Sequence, residues 1–250
     1  MIEAVLLAGS PNSGPLREVD AAAWEALIPV GGVPMVTAVA RVLLAVREVG
    51  RLAVVAPPEV HPVLPPDERI MPISAGDSLM ENLARGLAAF PGAPQVLVAT
   101  ADVPLLTPEA VEDFLARCGD RTADIYYPVA EEKVVSARFP NVKRTYVRLR
   151  DGRFTGGNIA LFRPAAFARC RARGEEFAAY RKKPLKLAGV VGLGFLLRFA
   201  AGRLTLQDAE RKVTALVGIS GCAVVTPFPE IAVDVDKPGD LELAREIIGR

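Results

Sequence analysis

Apolar residues fall along the chain in short continuous runs separated by stretches of helical periodicity, the alternation that builds a mostly parallel sheet with crossover helices on its faces. The expected strands are the runs at 2–7, 51–56, 70–73, 95–101, 123–129, 158–162, 222–226 and 231–234. Helix starts are equally legible. Ser78 with Glu81 forms a capping box ahead of Leu83, Leu87 and Ala88, and Thr107 before Pro108 is an N-cap followed by proline in the first turn. Thr205 with Asp208 caps a helix through Val213 and Leu216. From 131 to 154 the pattern loosens, and Arg138, Lys143, Arg144, Arg148, Arg150 and Arg153 interleave with Phe139, Tyr146 and Val147, as in an exposed excursion or lid. Residues 163–218 read as mainly helical. The pattern predicts one α/β domain over 1–250, with the excursion and a helical elaboration held in 131–218.

Two of the runs end in carboxylates. The run at 95–101 stops at Asp102-Val103-Pro104, and the run at 231–234 passes through Asp234-Val235-Asp236 into Lys237-Pro238-Gly239-Asp240 and a last amphipathic helix. In a parallel sheet the carboxyl edge is where ligands bind, because helix N-termini point at the crevice there. Two acid sites at that edge can hold a hard cation. The first run leads into Leu7-Ala8-Gly9-Ser10-Pro11-Asn12-Ser13-Gly14-Pro15-Leu16-Arg17. Such a loop is either a plain turn or a cradle of backbone N–H groups around a phosphate chain.

Composition narrows the partners. At 250 residues and 51% hydrophobic content the chain can bury one sizeable core, and its net charge of +1 provides no field for nucleic acid. A small-molecule partner is expected. The one histidine, His61, lies in a proline-rich stretch read as a loop, which argues against a Ser-His-Asp hydrolase or a zinc site. Cys118, Cys170 and Cys222 form no CxxC pair and read as small hydrophobes or surface thiols in a reducing compartment. The start Met1-Ile2-Glu3 has no basic leader, so a cytoplasmic location is expected. The longest apolar stretch, 187–197, is far short of the roughly twenty residues of a membrane span. It predicts a buried helix that can also serve a homo-oligomer, and no membrane partner.

Four motifs together resemble the nucleotidyltransferase superfamily, which includes molybdenum-cofactor guanylyltransferase-like and sugar-phosphate nucleotidylyltransferase proteins. They are Leu7-Ala8-Gly9, then Ala26-Leu27-Ile28-Pro29-Val30-Gly31-Gly32-Val33-Pro34-Met35, then Asp102-Val103-Pro104-Leu105-Leu106-Thr107, and last Asp234-Val235-Asp236-Lys237-Pro238-Gly239-Asp240-Leu241. The resemblance implies a glycosyltransferase-A-type, Rossmann-like fold, a bound NTP, Mg²⁺, and attack of an acceptor phosphate on the α-phosphorus with release of pyrophosphate. It gives Asp102 and Asp236 as Mg²⁺ ligands with Asp234 beside them. The segment from Ser74 through Gly76 and Ser78 to Asn82 resembles the base-contacting loop, although the capping box alone accounts for Ser78. Phe154-Thr155-Gly156-Gly157-Asn158 resembles the stretch lining the acceptor pocket, and a structural hairpin entry accounts for it equally.

The chain departs from the family where charge matters. Glu25 stands where a lysine is usual, Val33 occupies a second basic position, and Arg17 only loosely matches the arginine after the glycine-rich loop. Three readings follow. In the first, a working enzyme takes its missing cation from Arg17, from Lys143 and Arg144, or from the cluster Arg181, Lys182, Lys183 and Lys186. In the second, the chain is a non-catalytic nucleotide or nucleotide-sugar binding module. In the third, it is a glycosyltransferase that uses Asp234-Val235-Asp236 as an Asp-x-Asp motif. The first is preferred, because a pure binding module has no need to keep both acid sites.

Overall fold

The computed structural model describes residues 1–180 and 192–249. In chain order it contains β1 (Ile2–Leu7), β2 (Pro29–Val30), β3 (Val33–Pro34), α1 (Met35–Ala45), β4 (Val49–Ala56), β5 (Ile70–Ser74), α2 (Leu79–Ala88), β6 (Val96–Thr100) and α3 (Pro108–Arg117). There follow β7 (Ile125–Glu131), α4 (Glu132–Arg138), β8 (Val147–Leu149), β9 (Gly152–Gly156), β10 (Ile159–Phe162), α5 (Pro164–Tyr180), α6 (Leu193–Ala200), α7 (Leu206–Val217), β11 (Gly221–Thr226) and α8 (Pro238–Ile248). The sheet runs β5-β4-β1-β6-β10-β7-β9-β8, with β11 also paired to β7. Its first four strands are parallel, and β10 then enters antiparallel to both β6 and β7.

Strand alternation divides each apolar run between two cores, which is why the runs show no polar positions. Ala4, Leu6, Leu52, Val54, Leu97 and Ala99 face one side, where Val36, Val39, Leu43 of α1 and Val111, Phe114 of α3 cover them. Val5, Leu7, Ala53, Val55, Val96 and Val98 face the other, under Leu87 of α2 and Ala166 and Cys170 of α5. Thr107 Oγ1 accepts the Ala110 N–H at 3.2 Å, and Thr205 with Asp208 forms the full capping box. Ser78 caps α2 through the Glu81 N–H, while the Glu81 carboxylate turns to the Asp77 N–H and Arg85 instead of closing the box.

Several expected elements differ. Residues 231–234 form no strand: a 3-10 turn at Pro229–Ala232, opened by proline, leads into an extended tether. The run is apolar because it is buried beneath α3 and α4, and its backbone bonds to loops instead of a ladder. The excursion at 131–154 is partly core, since Val135 of α4 and Phe139 are buried while the β8–β9 hairpin extends the sheet. His61 sits in a 3-10 helix, Pro58–Val63, with its Nε2 at 3.1 Å from the Ala56 carbonyl oxygen. The apolar run at 187–197 is described only from residue 192 onward, and α6 there has no buried residue. The described part, α6, is therefore not the buried helix expected and packs on the core through Phe195, while 187–191 lie outside the described residues. Arg181, Lys182, Lys183 and Lys186 lie outside the described residues. No described helix is long and apolar enough to cross a membrane.

Helix α2 lies close over β1 and β4 because residue 86 has no side chain. A Cβ at Gly86 would overlap the Val5 Cγ1 methyl and come within 3.2 Å of Val55 Cγ2. Helix propensity favours alanine there by about 1 kcal/mol, but the overlap is with packed core on both strands. Gly86→Ala is expected to lower stability by roughly 1–3 kcal/mol in denaturant unfolding, and an unchanged or higher midpoint would contradict this packing.

Candidate active site

Three carboxylates converge at the carboxyl edge of β6. Asp102, Asp234 and Asp236 each place one carboxylate oxygen within 4.8 Å of the others. The tether makes this meeting. The Val235 N–H donates to the Asp102 carbonyl at 2.8 Å, and Val233 and Val235 are buried at 2% and 1% exposure. With two valines turned inward along an extended backbone, Asp234 and Asp236 must point the other way, toward Asp102. Asp236 is not the cap of α8. Lys237 holds that position, and the Asp240 carboxylate accepts the N–H groups of Asp236 and Lys237 at 3.3 and 3.1 Å.

The electrostatics of the cluster are unfavourable as the protein stands. Asp102 is recessed, and desolvation together with Asp234 and Asp236 pushes its carboxyl up to about 6, against the lowering effect of the Thr100 hydroxyl that donates to its Oδ1. Asp236 is raised by burial and by Asp234. Arg144, from the irregular stretch before β8, ion-pairs with Asp234 and partly offsets the charge. Glu25 adds a further carboxylate, and burial and its proximity to Asp102 and Asp236 raise its pKa. An all-oxygen donor set of this kind suits a hard divalent cation.

Beside the acids, a cleft is walled by Leu7, Ala8, Gly9, Ser10, Pro11, Glu25, Ala26, Gly76, Asp77, Ser78, Leu79, Asn82, Thr100, Ala101 and Asp102. A Cβ on Gly9 would lie 2.6 Å from Asn82 Nδ2, so glycine lets the first loop close onto α2. Asn82 is buried at 5% exposure, and its Oδ1 accepts the Gly76 N–H at 2.6 Å, bracing the second loop. The side-chain oxygens of Ser78 and Asn82 are thus both engaged by backbone N–H groups. Gly14 and Arg17 do not line this wall. Arg17 donates to the carbonyls of Ala21 and Ala22 as the loop folds on itself, and Asn12 staples the same turn through Asp20 and Ala22.

Gly156, Gly157 and Asn158 lie on the opposite side of β6, between β9 and β10. The Asn158 N–H donates to the Ile231 carbonyl at 2.9 Å, and its own carbonyl accepts the Thr100 N–H at 3.2 Å. Asn158 therefore ties the end of β6 to the tether, and its Nδ2 is buried without a partner. Thr100 is a site residue absent from the sequence candidates, and Arg144 stands among them only together with Lys143 as one source of the missing cation. Thr100 was readable, because two positions before Asp102 in an extended strand places it on the same side. Arg144 was only one member of a basic stretch, and no periodicity there marks one arginine from another.

A family model described as the MobA-like NTP transferase domain matches residues 5–185. A solved structure described as a hypothetical transferase from Thermus thermophilus is 36% identical, covering 96% of this chain and 99% of that one, with a TM-score of 0.84. The fold alone is shared with 2-C-methyl-D-erythritol 4-phosphate cytidylyltransferase, also from Thermus thermophilus, at 19% identity, 99% coverage of each chain and a TM-score of 0.57. It is shared likewise with a CMP:2-keto-3-deoxy-manno-octonic acid synthetase complexed with CTP, at 15% identity, 99% and 98% coverage and a TM-score of 0.60. No curated protein sequence matches the chain.

A carboxyl raised from 3.8 to about 6 on folding destabilises the native state as pH rises through that window, because the unfolded chain releases its proton first. In metal-free buffer, Asp102→Asn is therefore expected to melt several degrees above wild type near pH 7.5, for an advantage of about 1–3 kcal/mol. The difference should vanish near pH 4. Equal melting curves at both pH values would show that burial and the neighbouring acids do not raise the Asp102 carboxyl.

Proposed function

The chain belongs to the MobA-like NTP transferase domain family and is a nucleotidyltransferase, and from that premise we propose that it transfers a nucleoside monophosphate from an NTP to a phosphorylated small-molecule acceptor. The observation that carries this reading is the joining of Asp102 to Asp234 and Asp236 beside the cleft of the first loop. A bond forms between an acceptor phosphate oxygen and the α-phosphorus, the α–β phosphoanhydride breaks, and pyrophosphate leaves. The erythritol 4-phosphate in the name of one fold neighbour supports an acceptor of the sugar-phosphate type.

Asp102 and Asp236, with Asp234 beside them, are the residues that would hold Mg²⁺, which supplies neutralisation of phosphate charge when bound. The chain's own groups do the positioning. The Ala8 N–H is taken by the Val55 carbonyl, so the phosphate cradle falls to the backbone N–H groups of Gly9 and Ser10 at the cleft, and Gly76, Ser78 and Asn82 shape the wall for the base. Asn82 keeps the two loops at fixed spacing, so its contribution is to the shape of the cleft. Gly156, Gly157 and Asn158 shape the acceptor region on the far side of β6, and Asn158, whose Nδ2 is buried without a partner, acts there by tying the end of β6 to the tether. Among the described residues, Arg144 is the cation well placed to stand in for the lysine replaced by Glu25, since it already reaches the acid cluster. Arg17 is not required for this role.

The specific observation favouring a binding module without turnover is Glu25 itself, a carboxylate in the wall where anionic phosphates would lie. Turnover separates the two. Screening four NTPs with Mg²⁺ by thermal shift should give one nucleotide that stabilises by about 2–3 kcal/mol at a hundredfold excess over its Kd. With that nucleotide and a panel of sugar phosphates, wild type should release pyrophosphate. Asp102→Ala should abolish release, and Arg144→Ala should reduce it by roughly 10²-fold or more. Selective binding without release across a broad acceptor panel would establish the binding module instead.

A further inference from the structure

Far along the sheet from the first loop, β8, β9, α6 and the turn into α7 pack together into one surface. Phe195 of α6 packs with Leu206 onto Val129, Leu149, Phe154 and Leu204. Leu193 and Leu197, one helical turn apart, face away from Phe195 and are 72% and 62% exposed. Phe199 and Val147 of β8 are exposed nearby on the same assembly. The hairpin and the turn are stitched together by the Arg150 N–H to the Leu204 carbonyl, at 2.8 Å, and by the Leu206 N–H to Asp151 Oδ2, at 2.7 Å. An apolar helical face this open marks a contact surface.

Charge identifies the partner. Arg148, Arg150 and Arg203 are exposed on this surface and form no ion pair among the described residues. A chain carrying only +1 overall sets these three arginines beside the exposed leucines of α6. A second copy docking by two-fold symmetry with its axis through this patch would set one positive surface against another, which is unfavourable. An anionic lipid surface offers both complements at once: an apolar boundary for the leucines and phosphates for the arginines.

We propose that this face docks the protein on an anionic lipid surface, with Leu193 and Leu197 entering the boundary between headgroups and acyl chains and Arg148, Arg150 and Arg203 engaging lipid phosphates. The contact lies in the plane of the interface and needs no membrane-crossing helix, so the span-length argument against a membrane partner does not touch it. Arg144, at the acid cluster, is three residues from Val147, within about 10–11 Å along the backbone. Docking here holds the candidate active site close to the lipid headgroups.

The test is flotation of the full chain with vesicles of phosphatidylcholine containing about one-third phosphatidylglycerol, against phosphatidylcholine alone. Wild type is expected to float with the anionic vesicles at about 20 mM salt and to be released at about 500 mM. The double variant Leu193→Gln/Leu197→Gln should lose tenfold or more in vesicle affinity, and Arg148→Gln/Arg203→Gln should lose its salt-sensitive part. Both should melt as wild type does, because the altered side chains are exposed. The proposal is overturned if wild type does not float with anionic vesicles, or if the leucine variant floats equally well. It is also overturned if light scattering finds a dimer that the leucine variant converts to monomer, since a second copy would then cover the face.

Discussion

The N–H of Val235 donating to the carbonyl of Asp102 is the contact on which the candidate active site depends. It joins the end of β6 to a segment more than a hundred residues later in sequence, and it fixes register as well as distance. Because Val233 and Val235 are sealed inside, the alternation of an extended chain leaves Asp234 and Asp236 only one direction to face. A shift of one residue would bury two carboxylates and expose two valines, so the hydrophobic effect enforces the register that the hydrogen bond marks. Asn158 reinforces the same junction from the β10 side through Thr100 and Ile231.

Gathering acids in this way costs stability, and the structure contains partial remedies instead of a complete one. Thr100 donates to Asp102 and Arg144 pairs with Asp234, while Asp240, which accepts the N–H groups of Asp236 and Lys237, adds its own negative charge beside Asp236. Neither remedy removes the repulsion that raises Asp102 and Asp236, and Glu25 adds to it. Strained electrostatics of this kind are characteristic of sites whose ligands carry the opposite charge.

The sheet divides the labour spatially. On one side of β6 the parallel half presents the loops after β1 and β5, braced to each other by Gly9 and Asn82. On the other side lie the glycines between β9 and β10, Arg144 in the stretch from α4 to β8, and the arginine-bordered face of α6. A nucleotide on the first side and an acceptor on the second would meet at Asp102, the residue that closes the central strand. The proposed lipid-docking face belongs to the antiparallel half of the sheet and leaves the loops of the parallel half free.

The sequence by itself determined the strands of the parallel half, the capped starts of α2, α3 and α7, and the two acid segments, because each is a local pattern of burial period or capping chemistry. Thr100 was within its reach for the same reason. It could not reveal that 231–234 is a tether, since a buried extended segment and a ladder strand leave the same apolar trace. Nor could it separate Arg144 from its basic neighbours, send Arg17 away to the carbonyls of Ala21 and Ala22, or expose the apolar face of α6. Those outcomes were decided by tertiary structure, because they depend on which distant backbone groups and side chains meet, and no local periodicity encodes a partner a hundred residues away.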